Sequence, residues 1–347
     1  MQSSRRQKNL HDALAEAQKQ IENGLIQGGV FATMEQDPVA FGLQEVSPRE
    51  TAMTVDSRFD IASVGKVFTA SCCACLIVEG KLDPDAPFTK YLPDHVLGKN
   101  CDITVRDLAT HTGGFANARH YGGKNPDNFY SDLMLSEPVR PRGAAFEYSC
   151  YGFILLGLIL NKLTGKDLDT LARELLWEPL GMMHTTWNAP GPGPNEVKHW
   201  HPCWPGHPDR QAGEHNDDMC FRVNKPLGSG SCFSTCGDMM KFVRDIVERK
   251  HFTAEYYDLL ATCCWEGPAL PSNPVQYTSR RSFGWDMCDL RRPNSFSKQG
   301  IYHSGWTGQT LAIDPVQGFG VMIMTSRTGD WELANQARVK LIDILCQ

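Results

Sequence analysis

Apolar residues recur at helical spacing along much of this chain of 347 residues. Near the start, Leu10, Leu14, Ala17, Ile21 and Leu25 lie three or four positions apart among charged and amide residues. Because no continuous apolar run accompanies them, we interpret this stretch as an amphipathic helix and not as a signal peptide. Similar apolar patterns predict further helices over residues 67–78, 104–109, 151–163, 168–176, 236–249 and 331–345.

Shorter apolar runs bounded by turn-forming residues predict strands near both ends of the chain. They are residues 29–33, 39–42, 309–313 and 319–325. This order favours the α/β (α+β) class, with an antiparallel sheet built from both termini, flanked by helices, and an inserted mostly helical region. We therefore expect a discontinuous sheet subdomain at 1–85 and 275–347 and a mostly helical subdomain at 86–274.

Composition excludes several classes of partner. The net charge is −6 and no basic stripe with interleaved aromatic residues occurs, which argues against a nucleic-acid partner. The longest apolar run, Phe153 to Leu160, is too short to span a bilayer, so no membrane helix is expected.

Thirteen cysteines without an export signal indicate reduced thiols in a cytoplasmic protein. The C-x-x-C from Cys72 to Cys75 lies in an apolar helix pattern, which favours packing thiols over a redox pair.

Residues 187–221 are rich in Pro, Gly, His and Trp, and a loop of this length is often a lid or a substrate wall. Five of its side chains are potential zinc ligands, but their spacing matches no standard set. They are His199, His201, Cys203, His207 and His215. We therefore predict neither a metal site nor a cofactor, and the loop is interpreted as part of a substrate site.

The chemistry of the chain is indicated by Ser63 and Lys66, which follow a strand-like run at 58–62 and open the apolar helix. The i to i+3 spacing places both side chains on one face of the first turn, where free amides also point toward a forming anion. A serine needs a base to become nucleophilic, and a desolvated lysine can serve as one. Ser63 is therefore a candidate nucleophile.

Several local patterns, in order, resemble the serine β-lactamase and penicillin-binding-protein-like superfamily. They are Phe59 to Lys66, Glu79 to Asp83 with Tyr91-Leu92-Pro93, Ile103 to Gly114, Phe146 to Cys150 with Leu155-Leu156-Gly157, Glu178 to Met182, Phe233-Ser234-Thr235 with Asp238, and Tyr302 to Gly305. Tyr148 makes the pattern most similar to the class C β-lactamase branch, which includes family VIII carboxylesterases, D-aminopeptidases and D-alanyl-D-alanine carboxypeptidases.

The resemblance implies that Ser63 forms an acyl-enzyme while Lys66 and Tyr148 accept and relay its proton. It also implies an oxyanion hole made by the backbone amides of Ser63 and Trp306. The substrate is expected to lie against the edge of the strand at 309–313, where small residues leave room for it.

Four residues are expected to contact the substrate: Cys150, His303, Ser304 and Gly305. Two of them depart from the β-lactamase pattern. Cys150 replaces an asparagine that would bind an acylamino group, and His303 replaces a lysine, giving a weaker and pH-dependent partner for a carboxylate. Both changes argue against β-lactams as natural substrates.

The sequence therefore predicts a serine hydrolase that cleaves a small ester, amide or peptide through an acyl-enzyme. No G-x-S-x-G motif is present, so an α/β-hydrolase triad is not supported. The alternatives are a D-amino-acid peptidase or carboxypeptidase, a β-lactamase, an acyltransferase in which a hydroxyl replaces water, and a ligand-binding relative without turnover.

Overall fold

The computed structural model describes residues 2–116, 126–198, 210–270, 278–288 and 291–347. The α-helices are α1 (Gln2–Glu22), α2 (Lys66–Val78), α3 (Val105–Thr110), α4 (Phe129–Met134), α5 (Cys150–Thr164), α6 (Leu168–Ala172), α7 (Glu178–Leu180), α8 (Asp218–Val223), α9 (Cys236–Glu248), α10 (Ala254–Ala261) and α11 (Trp331–Leu345). The strands are β1 (Ile26–Thr33), β2 (Val39–Glu45), β3 (Thr51–Ala52), β4 (Arg58–Asp60), β5 (Phe233–Thr235), β6 (Trp265–Pro268), β7 (Thr278–Arg281), β8 (Ile301–Gly305), β9 (Gln309–Asp314) and β10 (Phe319–Arg327).

The main sheet is antiparallel and has the strand order β3-β2-β1-β10-β9-β8. Its two halves meet where β1 pairs with β10, with Val30 opposite Met324. Strands from the two ends of the chain therefore form one sheet, and the predicted fold is confirmed. The subdomain boundaries at 85 and 275 remain a prediction.

Both faces of the sheet are covered, as the alternation of side chains along its strands requires. Phe31, Ala312 and Ile323 pack with α1 and α11 on one face. Leu311 and Met322 lie on the other face, in the larger core that contains α2, α5 and α9. The site is built on this second face, between the sheet and the helical region.

Three features bring the site together. Strand β4 pairs with β5, so the residues that follow β4 lie beside the segment that precedes β5. Helix α2 is buried along most of its length, from Lys66 to Leu76, because almost all of its side chains are apolar or small. Helix α5 packs against both α2 and α3. This arrangement holds the beginnings of α2 and α5 close together.

The strand expected to present its edge to the substrate was wrongly assigned. Strand β9, which covers residues 309–313, lies between β8 and β10 and has no open edge. The edge strand is β8, because the chain turns back after Gly305 and places β9 inside the sheet. Part of this edge is covered, since Tyr302 exchanges two backbone hydrogen bonds with Asp286, at 2.9 and 3.0 Å.

The predicted helix at 168–176 is divided. It begins as α6 and continues as a π-helical turn, Arg173–Trp177, which leads into α7. Within the described ranges, no helix is long and apolar enough to cross a bilayer.

Candidate active site

Ser63 lies in a 3₁₀ turn, Ala62–Gly65, that runs directly into α2. The residue before it, Ala62, has a φ of +46°, a conformation that is costly for a residue with a side chain. Two glycines allow the surrounding chain to approach this turn. A Cβ atom at Gly230 would lie 2.6 Å from the Ala62 carbonyl oxygen, and one at Gly305 would lie 2.6 Å from the Ile61 carbonyl oxygen. The turn that carries Ser63 is therefore packed tightly between β8 and the segment before β5.

Lys66 is fully buried at the first position of α2. Its ammonium group donates to Ser63 Oγ at 3.1 Å and to the carbonyl oxygen of Ser229, and it lies 3.6 Å from Cys150 Sγ. The predicted pairing of Ser63 with Lys66 is present, because the helical spacing places both side chains on the same side of the turn.

Tyr148 approaches the same serine from the residue pair that precedes α5. Its hydroxyl donates to Ser63 Oγ at 2.7 Å, and Lys66 Nζ lies 5.0 Å from its ring centroid. His111 supports it from behind, with ring centroids 4.7 Å apart, and accepts a hydrogen bond from the Ser149 amide at 3.1 Å. Ser149 also caps α5, so the position of Tyr148 is fixed by helix start and ring packing together.

The charges of Lys66 and Tyr148 are coupled. Burial by itself would lower the pKa of Lys66, but the neighbouring Cys150 and Tyr148 outweigh it and the net shift is upward. Burial raises the pKa of Tyr148, and the Lys66 charge opposes that rise. We therefore assign an ammonium and a neutral phenol to the resting state at neutral pH.

His303 lies on β8 and is almost completely buried. Burial lowers its pKa well below the ordinary value of 6.5, and the positive charges of Lys66 and Arg281 lower it further. The ring is therefore neutral near pH 7, with Nδ1–H donating to the Ser304 carbonyl oxygen at 3.0 Å. A charged partner for a substrate carboxylate is not provided at this position under these conditions.

Trp306 directly follows Gly305, the last residue of β8. Since the backbone groups of Tyr302 point away from β9, those of Ser304, two residues on in the same strand, are expected to point the same way. Trp306 lies beyond the strand, and its amide as an oxyanion donor stays a prediction. The indole stacks on Trp331 with centroids 6.2 Å apart and packs under the Arg327 guanidinium at 4.3 Å. The Trp306 carbonyl oxygen accepts from Arg327 at 2.8 Å, which holds the peptide that joins Trp306 to Thr307.

Of the other residues expected to contact substrate, only some direct their side chains to the site. Cys150 is half-buried and directs its thiol toward Lys66. Ser304 pairs with Thr310, whose hydroxyl accepts from Arg338 of α11. By that pairing the Ser304 side chain lies on the α11 face of the sheet, opposite to His303, and its backbone is the part directed to the site.

Of the five potential zinc ligands in the 187–221 loop, four lie outside the described residues, namely His199, His201, Cys203 and His207. His215 is buried with its ring centroid 5.3 Å from that of Phe233, and burial lowers its pKa to about 4. No group of three or more metal-ligating side chains occurs in the described part of the chain.

Comparison with known proteins decides the family. The family model described as Beta-lactamase matches residues 14–343, which is nearly the whole chain. The chain belongs to the beta-lactamase family. The resemblance inferred from the local patterns is thereby confirmed.

Relatives of this beta-lactamase family member are hydrolases. It is 25% identical over 314 residues to N-acetylmuramyl-L-alanine amidase of Bacillus subtilis (strain 168), covering 82% of this chain and 71% of that protein. Among solved structures, it resembles simvastatin synthase LovD from Aspergillus terreus (TM-score 0.76, 17% identity, 97% and 98% coverage). It also resembles the D-amino acid amidase from Ochrobactrum anthropi SV3 (TM-score 0.76, 22% identity, 96% and 98% coverage). At these identities the two structures confirm the fold alone.

Three residues that contact the site were given no role by the sequence. They are His111 behind Tyr148, Ser229 whose carbonyl accepts from Lys66, and Asp60 at the end of β4. Only Asp60 carried a local signal, since an acidic residue inside the apolar run 59–62 is expected to be buried and hydrogen-bonded. The other two depend on long-range packing.

Proposed function

We propose that the protein is a serine hydrolase that cleaves an ester or amide bond through an acyl-enzyme on Ser63. The observation that carries the proposal is the meeting of Lys66 Nζ and Tyr148 OH at one atom, Ser63 Oγ, at 3.1 and 2.7 Å. Of these two ionisable groups, one in its deprotonated form can remove the serine proton during attack and then return it to the leaving group.

The reactive form is Tyr148 phenolate beside Lys66 ammonium. Ser63 Oγ bonds to the substrate carbonyl carbon while its proton moves to Tyr148, and the negative charge on the carbonyl oxygen is accepted by the amides of Ser63 and Trp306. Collapse of the tetrahedral species expels the leaving group, which takes the proton from Tyr148. Water then attacks the acyl-enzyme, gives its proton to Tyr148, and releases the acid as Ser63 regains a proton.

The proposed substrates are small esters, amides or peptides. The names of the relatives support this range, since they include an amidase and a carboxypeptidase. Cys150 and the neutral His303 weaken the anchoring of an acylamino group and a carboxylate, so small activated esters are expected to react faster than β-lactams. An acyltransferase remains the alternative, and its signature is an ester product when alcohols are added.

We also propose a reducing, cytoplasmic setting for the reaction. The twelve cysteines that the structure describes are all free thiols, and most of them are buried. Buried free thiols are typical of proteins from compartments in which disulfides do not persist. A thiol count by alkylation in lysate of the native source, with and without reductant, tests this assignment.

The function is tested by intact mass spectrometry with a fluorophosphonate and by hydrolysis of p-nitrophenyl butyrate. Wild type is expected to gain one adduct on Ser63 and to hydrolyse the ester. Ser63→Ala is expected to lose both while its thermal midpoint stays unchanged, and Ser131→Ala on α4 is the control that keeps both. Full hydrolysis by Ser63→Ala, or no labelling of wild type, would overturn the proposal.

A further inference from the structure

Asp60 is the last residue of β4 and is 1% exposed. Its carboxylate accepts three hydrogen bonds. The Ala62 amide donates to Oδ1 at 2.8 Å, while the Asn216 amide and the Ser231 hydroxyl donate to Oδ2 at 2.7 and 2.9 Å. Two of these partners lie more than 150 positions away in sequence, at separations of 156 and 171 residues. One buried carboxylate thus joins its own segment to two others that are distant in sequence.

Two of these segments carry parts of the proposed site. Ala62 precedes Ser63 and holds the left-handed φ of +46° described above. Ser231 has a φ of +56°, donates its amide to the Ala62 carbonyl oxygen at 3.1 Å, and follows Ser229, whose carbonyl accepts from Lys66. A carboxylate that accepts from both Ala62 and Ser231 therefore fixes the position of Ser63 relative to that of Lys66.

The backbone of Asp60 adds a link to the oxyanion position. Its carbonyl oxygen accepts from the Thr307 hydroxyl at 2.7 Å. Thr307 directly follows Trp306, whose amide is the second proposed oxyanion donor. The third carboxylate partner, Asn216, lies in the 187–221 loop, so this loop is also tied to the strand that leads to Ser63.

We propose that Asp60 is a positioning residue of the acylation machinery: its carboxylate sets the conformation of Ala62 and thereby the aim of the Ser63 hydroxyl and amide. The inference rests on the proposed function of Ser63. It assigns no contact with substrate to Asp60. The contacts of Asp60 explain why the strained turn persists beside Ser63, because a strained backbone conformation needs surrounding groups that fix it.

The charge of Asp60 gives this role a pH dependence. Burial raises the pKa of Asp60 to about 6, and Asp217 at the start of α8 adds to the rise, while the three hydrogen bonds oppose it. The other titratable neighbours are Cys220 of α8, Cys232 before β5 and His215. Burial raises the pKa of both thiols and lowers the pKa of His215 to about 4, so all three are uncharged near pH 6. No ion pair joins Asp60 to a basic side chain in the described ranges. As the pH falls through about 6, Asp60 becomes protonated and loses the negative charge that its three hydrogen bonds favour. The contacts that hold Ala62 are then expected to weaken.

The test measures acylation of the full chain by p-nitrophenyl butyrate as a function of pH. Asp60→Asn is expected to lower kcat/KM at least about tenfold at neutral pH, through kcat and not KM, and to remove the additional loss of activity below about pH 6. Ser231→Ala keeps the carboxylate but deletes a hydrogen bond that lowers the pKa of Asp60. The fall of kcat/KM at low pH, which is the acid limb of the profile, is therefore expected to move to higher pH.

Asp245→Asn is the matched control, since Asp245 is equally buried on α9 and accepts from Tyr257 at 2.9 Å outside the site. It is expected to leave kcat/KM and the acid limb unchanged. If Asp60→Asn does not fold, the shift in Ser231→Ala decides. The inference is overturned if the acid limb is the same in wild type and Ser231→Ala, or if a folded Asp60→Asn keeps kcat/KM within about twofold. Failure of wild type to label at Ser63 would instead overturn the proposed function.

Discussion

The two sides of the site differ in how completely they are assembled. On the side of the nucleophile, Lys66 and Tyr148 both reach Ser63 Oγ within hydrogen-bond distance. On the side expected to bind substrate, Cys150 turns toward Lys66, and His303 donates to the carbonyl of its own neighbour. The polar groups of the second side are satisfied within the protein, whereas those of the first converge on one reactive atom.

On the proposed function, we expect this difference to separate acyl transfer from substrate recognition. The nucleophile side (Ser63, Lys66 and Tyr148) retains the residue types of the family pattern. On the recognition side, Cys150 stands where that pattern has an asparagine, and the neutral His303 stands where it has a lysine. We expect a substrate with its own acylamino group and carboxylate to gain little binding energy from Cys150 and His303. We expect changes on the first side to affect every substrate equally and changes on the second to alter preference among substrates.

The largest effect is expected from Tyr148→Phe, which removes the proton acceptor but keeps the ring. The rate of acylation is expected to fall about 10²–10⁴-fold for esters and β-lactams alike. In wild type, log kcat/KM is expected to rise with a slope of about one from neutral toward alkaline pH, because burial raises the pKa of Tyr148 and the phenolate is the minor form. Stopped-flow kinetics across this range measure both quantities.

Tyr257→Phe is the control for this change. It deletes a buried hydroxyl that donates to Asp245 at 2.9 Å, so stability is expected to decrease while kcat/KM stays the same. A Tyr148→Phe enzyme with near-normal rates, or a pH profile that is flat in wild type, would show that Tyr148 is not the proton acceptor.

A smaller but still uniform effect is expected from Gly305→Ala. The added methyl group would lie 2.6 Å from both the Ile61 carbonyl oxygen and Gln309 Oε1, which forces β8 away from the nucleophile turn. Loss of alignment of the Trp306 amide is expected to lower kcat about 10²-fold for all substrates. Gly237→Ala in α9 is the control, since nothing lies within 4 Å of its new Cβ atom. Equal kcat values in Gly305→Ala and wild type would remove Trp306 from the oxyanion hole.

The smallest effect is expected from Cys150→Asn, which restores a carboxamide to the recognition side. The ratio of kcat/KM for nitrocefin to that for p-nitrophenyl butyrate is expected to rise about tenfold, the value of one hydrogen bond to a polar group. Cys346→Asn, beyond the end of α11, should leave the ratio unchanged. An unchanged ratio in Cys150→Asn would mean that this position does not set the preference.

A second restoration, His303→Lys, is not expected to add to that gain. The new ammonium would be buried beside Lys66 and within the influence of Arg281, the two charges that already lower the pKa of His303. Unpaired like charges in a buried site destabilise the folded state. A lower thermal midpoint without improved nitrocefin turnover is the expected result of the double change.

Sequence alone predicted the parts of the molecule that depend on local patterns. Helix α11 begins and ends where its spacing predicts, and Ser63 with Lys66 could be paired because they share one helical turn. The short strands β3, β6 and β7 were not predicted, since each has two to four residues and no clear alternation. The wrong choice of edge strand has the same origin, because the order of strands in a sheet is decided by pairing across the chain.

The contacts of Asp60 show the same limit within the site. Its acidic character in an apolar run indicates burial, but Asn216 and Ser231 are distant in sequence, and nothing in the local pattern selects them. The candidate roles of Ser63 and Lys66 came from their spacing and from resemblance to a family, and those of Tyr148 and Trp306 from the resemblance alone. All four stay predictions until the variants above are measured.

The neutral state of His303, together with that of His111, has a consequence for inhibitors. Burial keeps the pKa of both rings well below the ordinary value, so among the described residues Lys66 is the only cation in hydrogen-bond contact with Ser63 Oγ. The nearby Arg281 is already paired with Asp286 at 3.1 Å. A boronic acid that adds to Ser63 becomes an anion with one charge, which this single ammonium balances. A compound that brings a further carboxylate leaves that charge uncompensated, so uncharged boronic acids should inhibit better than their carboxylated analogues.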